Sequence, residues 1–168
     1  MTEPTTHLSD VEPGASHPAE VHDRRQLAGL HQYLAFRLAG EQYAIDIHDI
    51  VEILKYRQTT PVPHAADLIH GIVSVRGRII TVVDGRRRLG LQAAAVSPAA
   101  RIIVLRDGEE SVGLLVDEVL QVEKLCPESM SAPPNTLTDA AQLGIAGVCE
   151  TQQGAILILL DRKAFLRF

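Results

Sequence analysis

The sequence predicts an all-β protein made of two small five-stranded barrels that share one core. A repeat is the first observation behind this. Gly71-Ile72-Val73-Ser74-Val75-Arg76-Gly77-Arg78-Ile79-Ile80-Thr81-Val82-Val83-Asp84 is echoed by Gly147-Val148-Cys149-Glu150-Thr151-Gln152-Gln153-Gly154-Ala155-Ile156-Leu157-Ile158-Leu159-Leu160-Asp161. Each string runs glycine, short strand, glycine turn, apolar strand, aspartate, then a basic segment reaching Leu89 or Leu166. Upstream, the stretch from Tyr43 to Ile53 is shadowed by that from Val112 to Val122. The second observation is that apolar residues fall in short runs between glycine-bearing turns, the pattern of short strands in a barrel. The third is size. The chain has 168 residues, and a half of roughly 60–70 residues is marginal alone. The halves are therefore expected to support each other through exchanged or interlocked strands.

The elements follow in order. Residues 1 to 30 mix Pro, His, Glu, Ser and Thr without apolar periodicity and read as a disordered acidic extension, leaving 31–168 as the folded domain. Tyr33 to Leu38 and Gln42 to Ile47 alternate around Ala39-Gly40-Glu41, a hairpin; Arg101 to Arg106 and Ser111 to Val116 repeat it around Asp107-Gly108-Glu109. Asp49 to Tyr56 and Glu118 to Leu125 read as third strands. Pro61 and Pro63 break the chain before a single helical turn at Ala65 to Ile69. Gly71 to Val75 and Ile79 to Val83 pair across Arg76-Gly77-Arg78, and Ile145 to Glu150 with Ala155 to Leu160 repeat them. Asp84 and Asp161 each precede a helix-like stretch and are expected N-caps. Pro127 to Pro134 and the polar stretch to Gln142 are expected loop. Five short strands per copy give two intertwined SH3-like barrels with short helical turns.

Composition narrows function. The net charge of −5 provides no general drive toward nucleic acid. Cys126 and Cys149 lack Cys-x-x-Cys spacing and are expected as a reduced pair. The N-terminus has no apolar core of a secretory signal, and the longest apolar run, Ala155 to Leu160, is too short to span a bilayer. A cytoplasmic protein without membrane insertion is expected. Catalytic signatures are missing: there is no Gly-x-Ser-x-Gly elbow, no Walker loop and no Gly-x-Gly-x-x-Gly unit. His64 and His70, with Asp67 between them, lack a third ligand at metal-site spacing and read as surface loop histidines. Asp84 and Asp117 could be an acid–base pair, but their places after apolar strands favour capping and turn roles. No metal, cofactor or catalytic residue is expected. Arg86 to Arg88 read as a solvated helix face. Arg76 differs, because it sits in a glycine turn between apolar strands where solubility needs no charge. There a planar, multidentate guanidinium suits a partner contact.

Taken together, Phe36, Tyr43-Ala44-Ile45, Ile50-Val51-Glu52-Ile53, the stretch from Gly71 to Gly77, Val82-Val83-Asp84 and the stretch from Val112 to Asp117 resemble the CheW-type chemotaxis coupling proteins, from about His31 to the C-terminus. The resemblance implies two SH3-like barrels and a non-catalytic scaffold. It would join the cytoplasmic tips of chemoreceptors (methyl-accepting chemotaxis proteins) to a CheA-type histidine kinase, peripheral to receptor arrays at the inner membrane. A receptor helical hairpin would lie in the groove between the barrels. By position, Ile50, Glu52, Gly71 and Arg76 match the receptor-facing surface, with Val119 and Val122 near the opposing side of the groove. Gly113 is implied as a kinase-side residue. Ser74, Thr81 and Gly85 depart from the asparagine, proline and leucine common in the family. Gly85 is expected to loosen the start of its helix. The competing reading is a small-barrel nucleic-acid-binding protein using the basic stretch from Arg76 to Arg88, although no aromatic platforms are interleaved there.

Overall fold

The structure, a computed structural model, describes residues 29–135 and 139–168. Nearly all of the acidic extension therefore lies outside the described residues. Among the described residues eleven strands form: β1 His31–Leu38, β2 Glu41–Asp46, β3 Ile50–Lys55, β4 Ile69–Val75, β5 Arg78–Asp84, β6 Arg101–Asp107, β7 Glu110–Val116, β8 Glu118–Leu125, β9 Met130–Ser131, β10 Ile145–Glu150 and β11 Ile156–Leu160. Two four-residue helical turns, Gly85–Arg88 and Arg162–Phe165, follow β5 and β11.

The strands make two sheets, and each copy of the repeat lends its first hairpin to the other. In the six-stranded sheet the order is β8-β1-β2-β11-β10-β9; in the five-stranded sheet it is β3-β6-β7-β5-β4. The β1–β2 hairpin of the first copy thus lies between β8 and β11 of the second. The β6–β7 hairpin lies between β3 and β5 of the first. The borrowed hairpins join through parallel pairs, β2 with β11 and β7 with β5. The expected exchange of strands is realised as a reciprocal swap within one chain.

Burial follows from the swap. The four borrowed strands supply most of a shared core: Leu34, Phe36 and Leu38 of β1, Tyr43 and Ile45 of β2, Ile103 and Leu105 of β6, Leu114 and Val116 of β7. Their alternate residues point into the separate barrel interiors, Ile102, Val104 and Leu115 into one, Ala35 and Ala44 into the other. Strand alternation alone therefore assigns each residue to the shared or the private core.

Several expectations change. No helical turn forms at Ala65 to Ile69; the segment is irregular until β4 starts at Ile69. The 127–134 stretch is not all loop, since a 3-10 turn at Pro127–Ser129 leads into β9, which pairs with β10. Asp84 and Asp161 do cap their turns, accepting the Arg86 N–H at 2.9 Å and the Ala164 N–H at 2.7 Å. Gly85 does not act as a loose helix start. It is buried, and a Cβ there would stand 2.8 Å from the Leu115 carbonyl oxygen, so glycine is what lets the turn pack onto β7.

Arg86 to Arg88 are not a solvated face. Arg88 is buried and donates from Nε to the Phe165 carbonyl at 2.6 Å and from Nη2 to the Gln142 carbonyl at 2.8 Å. Its guanidinium carbon lies 5.2 Å from the Phe165 ring centroid, and burial pulls its pKa below the ordinary value. Only Arg87 of the trio is largely open to solvent.

Candidate partner-docking site

The site is built around a tight hairpin. Val75 pairs with Arg78, so Arg76 and Gly77 form a two-residue loop between β4 and β5. Both have positive φ, +50° and +78°, as a type I′ turn requires. Glycine accepts this backbone freely, whereas an arginine adopts it at a cost. The Arg76 side chain is 82% exposed and donates from Nη2 to Glu52 Oε2 of β3 at 3.3 Å. An ion pair so exposed contributes little stability. The turn thus holds a solvent-facing guanidinium on a backbone conformation that favours glycine.

Glu52 and Arg76 rim a cavity of about 580 Å³. Its apolar lining includes Val51, Ile79 and Val112, and Ile79 is 67% exposed. Glu109 and Glu110 of the β6–β7 turn complete a mixed-charge rim. The barrel made by the second copy has a counterpart of about 220 Å³ between β8 and the β10–β11 turn. There Leu120, Gln121 and Thr151 stand where the first has Val51, Glu52 and Val75, and Gln42 and Gln153 add to the lining. The same architecture thus makes two clefts that both carry charge, the smaller one adding three glutamines beside Arg37 and Glu123.

The remaining candidates occupy varied places. Ile50 of β3 and Val119 of β8 hold equivalent positions, opposite Leu105 and Phe36 respectively, and each packs against the shared core. Val122 is 46% exposed and is the equivalent of Ile53, 43% exposed. Val119 and Val122 do not line the cavity of Glu52 and Arg76. Gly71 is buried beneath the 59–60 segment: a Cβ would meet both Thr59 Oγ1 and the Thr60 carbonyl at 2.7 Å. Gly113 is also interior, where a Cβ would come within 2.8 Å of Ile102 Cγ2. Substituting either glycine would act through strand packing.

Other polar groups serve the frame. Among the described residues no group of three or more His, Cys, Asp or Glu could hold a metal ion. His64 is exposed, but His70 belongs to β4 and not to a loop. Its Nε2 lies 3.3 Å from the Tyr56 hydroxyl, and burial lowers its pKa despite the Asp84 charge. Asp117 does not cap a turn locally. It accepts Arg86 Nε at 2.8 Å and the Ala39 N–H at 2.7 Å. The hydrogen bond raises the Arg86 pKa above its usual value. Sequence reading missed this pair and also Arg162 with Asp49, 2.8 Å apart, because neither pair lies at a local spacing.

A swapped double barrel with a mixed-charge cleft beside the β4–β5 turn defines a two-sheet β scaffold. The comparisons with known proteins agree. The CheW-like domain model matches residues 32–168. The chemotaxis protein CheW of Klebsiella aerogenes is 32% identical over 138 residues, covering 80% of this chain and 81% of its own length. Protein FrzA of Myxococcus xanthus is 28% identical, covering 76% and 81%. The crystal structure of the scaffolding protein TtCheW from Thermoanaerobacter tengcongensis superimposes with a TM-score of 0.72 at 32% identity, covering 79% of this chain and 89% of that one. The chain belongs to the CheW-like family.

Proposed function

We propose that this chain is a non-catalytic chemotaxis adaptor that couples chemoreceptors to a CheA-type histidine kinase. The receptor's helical tip docks between the barrels, against the apolar cleft with the Arg76–Glu52 rim and toward Val119 and Val122 on β8. The observation that carries this is the exposed Arg76 in a strained turn over an apolar cleft. A helix bound in a groove needs aliphatic anchors with polar groups at the edge, and Val51, Ile79, Glu52 and Arg76 supply both. The kinase domain would pack against the second barrel, and the adaptor would sit in the cytoplasm at the receptor array. Among the described residues no helix is long and apolar enough to cross a membrane. Nucleic acid is a poorer fit, because Arg86 and Arg88 are spent on internal contacts.

The test is affinity capture at moderate salt with wild type and Arg76→Glu. The expected result is recovery of a receptor and a histidine kinase with wild type, and loss of the receptor alone with the variant. Recovery of neither partner, or capture of nucleic acid that weakens about 10³-fold between 50 and 200 mM salt, would sink the proposal.

A further inference from the structure

Each candidate docking strand begins at an arginine–aspartate node that joins the two sheets. Arg86, from the turn after β5, donates Nε and Nη2 to Asp117 at 2.8 and 2.7 Å. Asp117 is the single residue between β7 and β8, and it also holds the Ala39 N–H of the β1–β2 turn. Arg162, from the turn after β11, donates Nε to Asp49 at 2.8 Å, immediately before β3. Its Nη1 donates to the Arg106 carbonyl near the β6–β7 turn, and Asp107 is 3.8 Å away. One node therefore runs from the five-stranded sheet to the start of β8, the other from the six-stranded sheet to the start of β3. The aligned repeats set Arg86 against Lys163 and Gly85 against Arg162, so the same join is made twice from different positions.

We infer that Arg86 and Arg162 are positioning residues that set the spacing of β3 and β8, and through it the fit of a helical partner. This rests on the docking reading given above. The shared core resists separation of the sheets, but apolar packing is non-directional and leaves sliding cheap. Arginine–carboxylate hydrogen bonds are directional. The Arg162 side chain is 13% exposed and that of Arg86 is 21%, while Asp49 and Asp117 are each 31% exposed, so water screens the pairs only in part.

The experiment measures the distance between spin-labelled unnatural amino acids at positions 53 and 122 by pulsed electron paramagnetic resonance, in otherwise wild-type protein and in Arg86→Gln and Arg162→Gln. Both variants should shift or broaden the distribution by about 1–2 Å, the scale of shear between packed elements. If Arg162→Gln does not fold, Arg162→Lys keeps the charge without the planar fork and should give an intermediate distribution. Wild-type distributions in cooperatively folded variants would overturn the inference. Unlabelled variants should bind a receptor-tip helical hairpin at least tenfold more weakly; a changed spacing with unchanged affinity would also overturn it. Failure of wild type to bind the hairpin would instead count against the docking reading, because the spacing measurement needs no partner.

Discussion

Arg76 combines two properties that a purely structural residue would not need together. Its backbone lies in the left-handed region at φ +50°, and its side chain is spent on a solvent-exposed pair with Glu52. Arg76→Asn should therefore stabilise the hairpin, by about 0.5–1 kcal/mol given the cost of that conformation for ordinary residues, while weakening receptor capture. Denaturant melts check the first half, and a stability loss would make Arg76 structural. His70 gives a pH dependence. Burial beside Tyr56 favours the neutral imidazole, so the folded pKa lies below the unfolded value near 6.5. The unfolded chain then binds the proton more readily. This contribution is complete above about pH 6.5 and is lost as pH falls through the folded pKa. Melting temperature should decline across that window, and His70→Gln should flatten the decline. An unchanged slope in the variant would place the acid sensitivity elsewhere.

The two four-residue helical turns are short and do disproportionate work. Each is capped by an aspartate at a strand end and sends arginines across the molecule. Arg88 carries its charge into the C-terminal turn of the other copy, donating also to the Ala164 and Arg167 carbonyls at 3.2 and 3.3 Å. Those carbonyls lie at and just beyond the end of the Arg162–Phe165 turn, where the Ala164 oxygen also accepts the Arg167 N–H at 3.3 Å. A cation there satisfies them and suits the helix C-terminus. Arg88→Ala should cost about 3 kcal/mol, since hydrogen bonds to a charged group contribute roughly 1.5–3 kcal/mol and the buried Phe165 carbonyl loses its Arg88 donor. Chemical denaturation measures this. A loss under about 0.5 kcal/mol, the usual size for a surface change, would show that the carbonyls find other donors.

At the scale of the whole molecule, the hairpin swap makes the copies interdependent. A fragment ending at residue 93 holds β1 and β2 without β8 and β11, the strands on either side of them, and the remainder holds β6 and β7 without β3 and β5. Neither fragment should fold as a monomer, and mixing them should restore a cooperative melt. A single fragment that melts cooperatively as a monomer would contradict the shared-core account. The same swap ties recognition to stability, because Ile50 and Val119 face the shared core from the strands proposed to dock the partner.

The repeat, the hairpins and the caps at Asp84 and Asp161 were legible in the sequence because each rests on local rules: strand alternation, turn residues and helix-end hydrogen bonding. Marginal half-size even implied an exchange of strands. Arg76 stood out for the same reason, as a charge in an apolar, glycine-bearing turn. The partners of Arg86, Arg88 and Arg162 were not legible, since an arginine run has the same composition whether it faces water or a buried carbonyl. Nor could sequence tell that Gly113 is interior or that Gly85 lies against Leu115. Local chemistry determined the strands, turns and family resemblance; tertiary structure decided which charges are internal, because long-range hydrogen bonds depend on where the swapped sheets bring distant residues together.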